Sequence, residues 1–285
     1  MKTISLAVFL VLISTVGVHA QSQKETITKS SGFRTPNGVH VLSVENIQGS
    51  VTVEAYKGDK VMLEAEKTIS AKDQQKVSLG MQEVQLKMEE SGDSVYVYLE
   101  APFIYRKKGK TRHFRMDREE ADYEFDFNLT LKVPANTNLI VSTVNNGQVV
   151  VKNVTGNIKA RNVNGGIALT GITGTTDATT VNGNIEVAYA SNPPEACHYK
   201  TINGDIKVSY AAKLDATVSF KTMNGQFYTD LPDLELLPVK VSRNSSNLGA
   251  GTVYKVDKNQ RYKAGQGTVP LRFETLNGNI YLRKK

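Results

Sequence analysis

The sequence predicts an all-β protein, built as a β-solenoid or single-stranded β-helix-like coil with a β-rich N-terminal portion. Three observations predict this fold. Glycines recur every nine residues through the middle of the chain, apolar residues flank those glycines at fixed distances, and the intervening segments alternate apolar and polar residues. Alternation with a period of two is typical of a strand with one buried face.

The glycine repeat defines a unit of 18 residues made of two halves of nine. Glycines lie at positions 147, 156, 165, 174 and 183, and the series continues at 204, 225 and 278. Asn-Gly alternates with Thr-Gly over the regular part, and the Asn-Gly pairs are Asn146-Gly147, Asn164-Gly165, Asn182-Gly183, Asn203-Gly204, Asn224-Gly225 and Asn277-Gly278. Stacked repeats place equivalent residues above one another, so we expect ladders of Asn and Thr side chains along the coil.

Positions within the repeat predict which side chains are buried. We expect the apolar residues two before and two after each glycine to form the core, and Tyr189 and Tyr210 to pack with them. The residues three after each glycine should face outward: Lys159, Ala168, Glu186, Lys207, Tyr228 and Tyr281. Tyr228 and Tyr281, with Lys207 in the same column, could bind a sugar, and ordinary solvated surface is the alternative.

The repeat motifs carry a resemblance to a known family. Thr-Val-Asn-Gly-Asn-Ile (180–185), Thr-Ile-Asn-Gly-Asp-Ile (201–206) and Thr-Leu-Asn-Gly-Asn-Ile (275–280) resemble the bacterial exported β-strand-repeat "putative adhesin" family, which has no known function. The resemblance covers roughly residues 37–285, most closely 139–230 and 268–285. It implies an all-β, solenoid-like fold and an exported protein, and it implies no reaction and no catalytic residues.

Residues 1–20 have the organisation of a signal peptide. Lys2 precedes an apolar run from Ile4 to Val18, and Ala20 offers a small residue before the cut. A membrane anchor is the alternative, but the run of about 15 residues is shorter than the roughly 20 of a spanning helix. We therefore expect an exported chain that does not span a membrane after cleavage and is periplasmic, at the cell surface or secreted.

The mature chain is predicted to have three parts. Residues 21–36 should be a flexible segment, 37–138 a β-rich portion, and 139–285 the Asn-Gly repeat, interrupted near 231–267. Strands are predicted at Val39–Val44, Ser50–Ala55, Val61–Glu66 and Val95–Leu99. One short helix is predicted from Ser70 to about Leu79, with Ser70 as its N-cap.

A charged stretch over 106–126 interrupts the strand pattern of the N-terminal portion. Its basic residues include Arg106, Lys107, Lys108, Arg112 and Arg115, and an acidic run follows directly. It could be a basic finger for an anionic glycan or lipid head group. We favour a solvated hairpin whose basic arm faces its acidic arm, because the charges nearly cancel. Few aromatic residues are interspersed, so we expect no nucleic acid as partner.

The composition argues against an enzyme and against cofactors. One Cys and four His in 285 residues exclude a disulfide framework, a Cys-based zinc site and an iron–sulfur cluster. Cys197 and His198 are neighbours on a predicted strand, point to opposite faces and cannot act together. We expect Cys197 to be buried. The carboxylates of the repeat occupy unrelated positions: Asp177, Glu186, Asp205 and Asp215.

Three hypotheses of function follow from these patterns. The first is a non-enzymatic exported envelope protein that offers a binding or adhesion surface to a glycan or a protein. The second is a periplasmic structural or assembly factor of the envelope. The third is a glycan-active enzyme on a β-solenoid, which would need clustered carboxylates. The sequence leaves the oligomeric state open.

Overall fold

The computed structural model describes residues 21–35, 38–107, 113–116, 122–211, 213–245, 252–257 and 259–285. The signal peptide predicted for residues 1–20 lies outside these residues. Apart from one helix, the described elements are all strands, and most of them belong to two large sheets that share one apolar core. No helix among the described residues is long and apolar enough to cross a membrane.

The elements follow one another along the chain with short connections. They are β1 (Gln21–Gly32), β2 (Val41–Glu45), β3 (Val51–Tyr56), β4 (Lys60–Ala71), α1 (Gln74–Glu83), β5 (Gln85–Ser91), β6 (Ser94–Glu100), β7 (Ile104–Lys107), β8 (His113–Met116), β9 (Tyr123–Pro134), β10 (Asn138–Ser142), β11 (Val149–Lys152), β12 (Ile158–Arg161), β13 (Ile167–Ile172), β14 (Thr176–Thr179), β15 (Ile185–Tyr189), β16 (Cys197–Lys200), β17 (Ile206–Tyr210), β18 (Ala216–Lys221), β19 (Phe227–Thr229), β20 (Glu235–Leu236), β21 (Lys240–Ser245), β22 (Thr252–Asp257), β23 (Gln260–Ala264), β24 (Val269–Glu274) and β25 (Ile280–Lys284).

Two sheets organise these strands. Sheet 1 has ten strands in the order β1-β4-β9-β3-β11-β13-β15-β17-β25-β19. Sheet 2 has eleven in the order β20-β23-β18-β24-β16-β14-β12-β10-β2-β6-β5. Pairing is parallel through the middle of both sheets and antiparallel near their ends, at β1-β4-β9, β5-β6 and β20-β23-β18.

The nine-residue spacing corresponds to one strand and one corner. From β10 to β19 successive strands alternate between the sheets, and strands β10 to β17 pair in parallel with the equivalent strand of the neighbouring repeat. In sheet 1, Val149 is level with Ile167 and Ile167 with Ile185, and in sheet 2 Ile158 is level with Thr176. The predicted 18-residue unit therefore contributes one strand to each sheet.

The last two strands enter the sheets out of chain order. β24 lies between β16 and β18, and β25 lies between β17 and β19. Ile280 is level with Ile206 on one side and with Phe227 on the other. The segment predicted as an interruption, 231–267, contains β20 to β23 and returns the chain so that β24 can enter. We call β24 and β25, with the corner between them, the inserted turn.

The predicted Asn ladder runs along the corners between the sheets. Each amide nitrogen donates to the next amide oxygen: Asn164 to Asn145 (2.7 Å), Asn182 to Asn164 (2.8 Å), Asn203 to Asn182 (2.7 Å), Asn277 to Asn203 (2.7 Å) and Asn224 to Asn277 (2.7 Å). One member differs from the prediction, because Asn145 occupies the place assigned to Asn146. Asn146 instead adopts a positive φ of 58° at the bend.

We expect Asn203→Ala to lower the free energy of unfolding by about 1 kcal/mol, because it removes the amide bonds to Asn182 and from Asn277. Urea unfolding followed by circular dichroism measures the change. Adding Asn182→Ala to this variant should cost less than Asn182→Ala alone, since the shared bond is already lost. Unchanged stability in Asn203→Ala would contradict a stabilising ladder.

Threonine and glycine form a second column beside the Asn ladder. The hydroxyl of Thr180 donates to the carbonyl of Gly165 (2.8 Å), and that of Thr201 donates to the carbonyl of Gly183 (2.9 Å). Thr275 repeats the contact on Gly204 (3.1 Å). The predicted Thr column is confirmed. A Cβ at any glycine of this column would overlap the backbone of the glycine in the adjacent turn, so close stacking requires glycine here.

The predicted core is correct on one side of the Asn-Gly corners and wrong on the other. The residues two positions after glycine are buried, as predicted: Ile185, Ile206 and Ile280. Four of the residues two positions before glycine are exposed instead: Val163, Ile202, Leu276 and Met223. The reason for Ile202, Leu276 and Met223 is the column of inward threonines: each follows a Thr whose hydroxyl donates to a glycine carbonyl, so the next residue points outward. Val163 follows the buried Asn162 in the same way. At the Thr-Gly corners the equivalent residues, Val154 and Ile172, are buried as predicted.

The N-terminal portion differs from the prediction at two elements. Residues 21–36 were expected to be flexible, but β1 pairs along all twelve of its residues with β4. The helix is Gln74–Glu83 rather than 70–79, because β4 continues to Ala71 and Asp73 provides the N-cap by accepting from the Lys76 amide (2.9 Å). At its other end the buried Lys67 donates to the carbonyls of Met81 and Val84, both at 2.7 Å.

The charged stretch is not a hairpin of one basic and one acidic arm. β7 pairs with β8, so both strands of this hairpin come from the basic part, whereas Glu124 and Asp126 of the acidic run lie in β9 and pair with β4. Arg106 and Lys107 lie in β7 and Arg115 lies in β8. Lys108 and Arg112 lie outside the described residues, and the finger therefore stays an untested prediction.

Candidate ligand-binding site

Residues predicted to face outward come together on sheet 1. Lys207 is level with Glu186 on one side and with Tyr281 on the other, and Tyr281 is level with Tyr228. This row crosses β15, β17, β25 and β19. Lys159 is separated from it, because it follows a Thr-Gly corner and therefore lies on sheet 2.

The two tyrosines form a stacked pair. Their ring centroids are 5.1 Å apart and the planes are inclined by only 12°. Tyr228 lies on β19, the edge strand of sheet 1, so none of the described strands pairs beyond it on the side away from Tyr281. Its side chain is 43% exposed, and its hydroxyl donates to the Gln226 amide oxygen at 2.8 Å.

Two basic side chains border the stacked pair. The Arg283 guanidinium carbon is 5.5 Å from the centroid of the Tyr281 ring, and the Lys207 ammonium group is 3.2 Å from a Glu186 carboxylate oxygen. Within the described part of the chain, Arg283 forms no ion pair. A cavity of about 480 Å³ lies here, lined by Lys207, Val208, Ser209, Tyr281 and Arg283. We call Lys207, Tyr228, Tyr281 and Arg283 the tyrosine site.

The tyrosine site has the features of a binding site for a ring with one apolar face and polar substituents. Tyrosine combines a flat apolar ring with a polar hydroxyl, and Lys207 and Arg283 supply up to eight N–H donors between them. The only carboxylate in the row, that of Glu186, is paired with Lys207. Arg283 was missed in the sequence, although it is two residues beyond Tyr281 on the same strand and therefore shares its face.

The tyrosines predicted to pack in the core are buried and linked to one another. Tyr199 contacts the hydroxyls of Tyr189 (2.8 Å) and Tyr210 (3.2 Å), and Tyr189 donates to Thr176 (2.8 Å). Burial raises the pKa of all three phenols well above the ordinary value. Cys197 is buried beside them, with its sulfur 3.4 Å from the Tyr189 hydroxyl. The expected burial of Tyr189, Tyr210 and Cys197 is confirmed, and Tyr199 is a further core tyrosine that was not predicted.

The four carboxylates of the repeat are engaged separately. Asp177 pairs with Arg161, and Glu186 pairs with Lys207. The Asp205 carboxylate accepts from the backbone N–H of Asn279 (2.8 Å), and the Asp215 carboxylate accepts from the backbone N–H of Thr268 (3.1 Å). Among the described residues, no group of three His, Cys, Asp or Glu side chains is arranged to hold a metal ion.

Sequence comparison gives no relative, and structure comparison gives distant ones. No family model matches the chain, and no curated protein is similar to it in sequence. A "putative cell adhesion protein" from Clostridium sporogenes is 11% identical, with 92% of this chain and 100% of that chain covered and a TM-score of 0.40.

Two other solved structures are similar over comparable lengths. A "putative adhesin" from Bacteroides fragilis is 11% identical, covering 90% of this chain and 97% of its own, with a TM-score of 0.40. A "putative lipid binding protein" from Parabacteroides distasonis is 10% identical, covering 91% and 96%, with a TM-score of 0.26. Scores this low assign neither a family nor a function to the chain.

Proposed function

We propose that the chain is an exported, non-enzymatic binding protein of the cell envelope, built as a β-solenoid, and that its tyrosine site binds a glycan. The stacked pair of Tyr228 and Tyr281, bordered by two basic side chains, is the observation that carries this proposal. The solenoid reading is supported by the regular alternation of strands between two sheets, with parallel pairing between successive repeats.

The form of the site favours binding over catalysis. Glycan-cleaving enzymes use a pair of carboxyl groups on either side of the scissile bond. The row at the tyrosine site contains one carboxylate, and Lys207 already neutralises it. A flat, aromatic, partly exposed surface instead suits a sugar ring held by contact with its C–H face and by hydrogen bonds to its hydroxyls.

A second function, docking of an envelope protein, is favoured by a different feature. The exposed apolar residues before the Asn ladder form a stripe along the coil: Val163, Ile202, Leu276 and Met223. Contiguous exposed apolar surface is typical of protein contact sites. A periplasmic structural or assembly role would use this stripe rather than the tyrosine site.

Glycan binding by the tyrosine site is tested with Tyr228→Ala and Tyr281→Ala. The mature chain is screened on a glycan array, and affinity for the best ligand is then measured by calorimetry. We expect each substitution to weaken binding by about tenfold, because ring stacking is lost. Tyr105→Ala provides the control, since Tyr105 is 52% exposed and lies on β7, which is not part of sheet 1. Equal effects of all three substitutions, or no glycan ligand at all, would contradict the proposal.

The location is tested by protease digestion of intact and permeabilised cells, read with an antibody against the mature chain. Digestion in intact cells would support a surface or secreted adhesin. Protection until permeabilisation would place the protein in the periplasm and favour the structural or assembly role.

A further inference from the structure

The outer face of sheet 2 carries two rows of charged side chains. The first row crosses six strands from β12 to β23 and consists of Lys159, Asp177, His198, Arg272, Ser219 and Arg261. The second runs beside it across five strands and consists of Arg161, Thr179, Lys200, Glu274 and Lys221. Together they place six Lys or Arg side chains against two carboxylates. We call these two rows the basic face.

The residues between the row members on each strand point the other way. Ala160, Ala178, Tyr199, Phe273 and Phe220 are all buried in the core. Since successive side chains of a strand alternate between faces, every charged residue of the two rows lies on the solvent side. The strands are about 4.8 Å apart, so the six strands of the first row extend over roughly 24 Å along the coil.

The two carboxylates of the basic face lie in its middle, and both form ion pairs. Asp177 pairs with Arg161, and Glu274 pairs with Arg272 and, at 3.7 Å, with Lys200. Partial burial acts to raise the pKa of Asp177, but the neighbouring His198 and Arg161 outweigh it and hold that pKa well below its usual value. His198 lies between the two, 3.6 Å from Asp177 and 3.8 Å from Glu274.

Within the described residues, the three remaining bases form no ion pair: Lys159, Lys221 and Arg261. They lie towards the two ends of the basic face, with the paired carboxylates between them. The face therefore carries its excess positive charge towards both ends, with the two paired carboxylates in its middle. A partner with regularly spaced negative charges, lying along the coil, would meet a base on nearly every strand.

We propose that the basic face binds a linear polyanionic polysaccharide that lies across the strands, parallel to the coil axis. Charge complementarity selects an anion, and the extended rows select a polymer over a small ion. A bilayer surface is less well matched. Membrane-surface segments insert large apolar side chains beside their bases, and the described residues of β12, β14, β16, β18, β23 and β24 expose none.

This inference does not rest on the proposed function. The tyrosine site belongs to sheet 1 and the basic face to sheet 2, and they share no residue. Loss of glycan binding in Tyr281→Ala should therefore leave polyanion binding unchanged. Binding of the polymer at the tyrosine site instead would make Tyr281→Ala defective for both ligands and would overturn the inference.

The test compares dextran sulfate with uncharged dextran and with vesicles of phosphatidylcholine and phosphatidylglycerol. The triple variant Lys159→Gln, Lys221→Gln, Arg261→Gln removes the unpaired bases. The control Lys57→Gln, Lys60→Gln, Lys152→Gln removes the same charge from exposed lysines outside the basic face. Affinities are measured by calorimetry with the mature chain at low and at moderate salt, and melting temperatures check folding.

We expect binding to dextran sulfate but not to dextran, with affinity falling as salt rises. The triple variant should bind about tenfold more weakly, and the control should change by less than about twofold. Each single substitution, Lys159→Gln or Arg261→Gln, should give a smaller loss in the same direction if the triple variant folds poorly. Equal losses in variant and control, binding to anionic vesicles in preference to dextran sulfate, or no binding would each overturn the inference.

Discussion

A chain shortened by residues 268–285 is expected to lose its cooperative unfolding transition. The deletion removes the inserted turn. This turn pairs with β16 and β17 on one side and with β18 and β19 on the other. Leu271, Phe273, Ile280 and Leu282 are buried there. Burying four such side chains stabilises a fold by about 6–12 kcal/mol, which is comparable with the whole stability of a typical domain.

The measurement is urea unfolding by circular dichroism, together with size-exclusion chromatography for aggregation. A matched control replaces residues 240–257, also 18 residues, with a short flexible linker. β21 and β22 pair only with each other, so we expect a small effect there. A synthetic peptide of residues 268–285 should restore part of the transition when added to the shortened chain. Equal stability of the shortened and full-length chains would show that the inserted turn is dispensable.

The second large effect is expected from Gly183→Ala, at the corner between the sheets. A methyl group at Gly183 would overlap the carbonyl group of Gly165, and both glycines belong to turns held by hydrogen bonds on either side. Neither backbone can move away without breaking the contacts of its neighbours. We expect the free energy of unfolding to fall by about 3 kcal/mol.

Gly32→Ala serves as the control for this substitution. A Cβ at Gly32 meets no atom within 4 Å, so stability should change by less than about 0.5 kcal/mol. Both variants are compared by urea denaturation under the same conditions. Similar, small effects in the two variants would mean that the turns can move apart to admit a methyl group, and that the glycine column is not a packing requirement.

The strands could be predicted from the sequence because alternation reports burial directly. Ile185 and Val187 point inward and Glu186 points outward, as the period of two requires. The corners could be predicted only in part. In Asn145-Asn146-Gly147, two neighbouring amides are equally suited to the ladder, and the choice depends on the backbone bend at Asn146.

The order of the turns could not be predicted, because equivalent repeats have equivalent edges. The motif at 275–280 can stack on any other Asn-Gly turn, and nothing local indicates that it belongs between 201–206 and 222–227. This limit applies to the basic face but not to the tyrosine site. Lys207 and Tyr281 share a position in the repeat and were grouped from the sequence. Arg272 and His198 became neighbours only through the insertion of β24.

The inserted turn also constrains the order of folding. Asn224 and Asn277 are hydrogen-bonded across 53 residues, so the native contacts of the turn that contains Asn224 cannot form until the later segment has been synthesised. An ordinary repeat protein can grow from one end, each new turn adding to the last. Here native pairing in chain order reaches only β17, and completion requires β24 and β25 to enter beside β16 and β17. At this end of the molecule, the order in which strands take their native places therefore differs from the order in which they are synthesised.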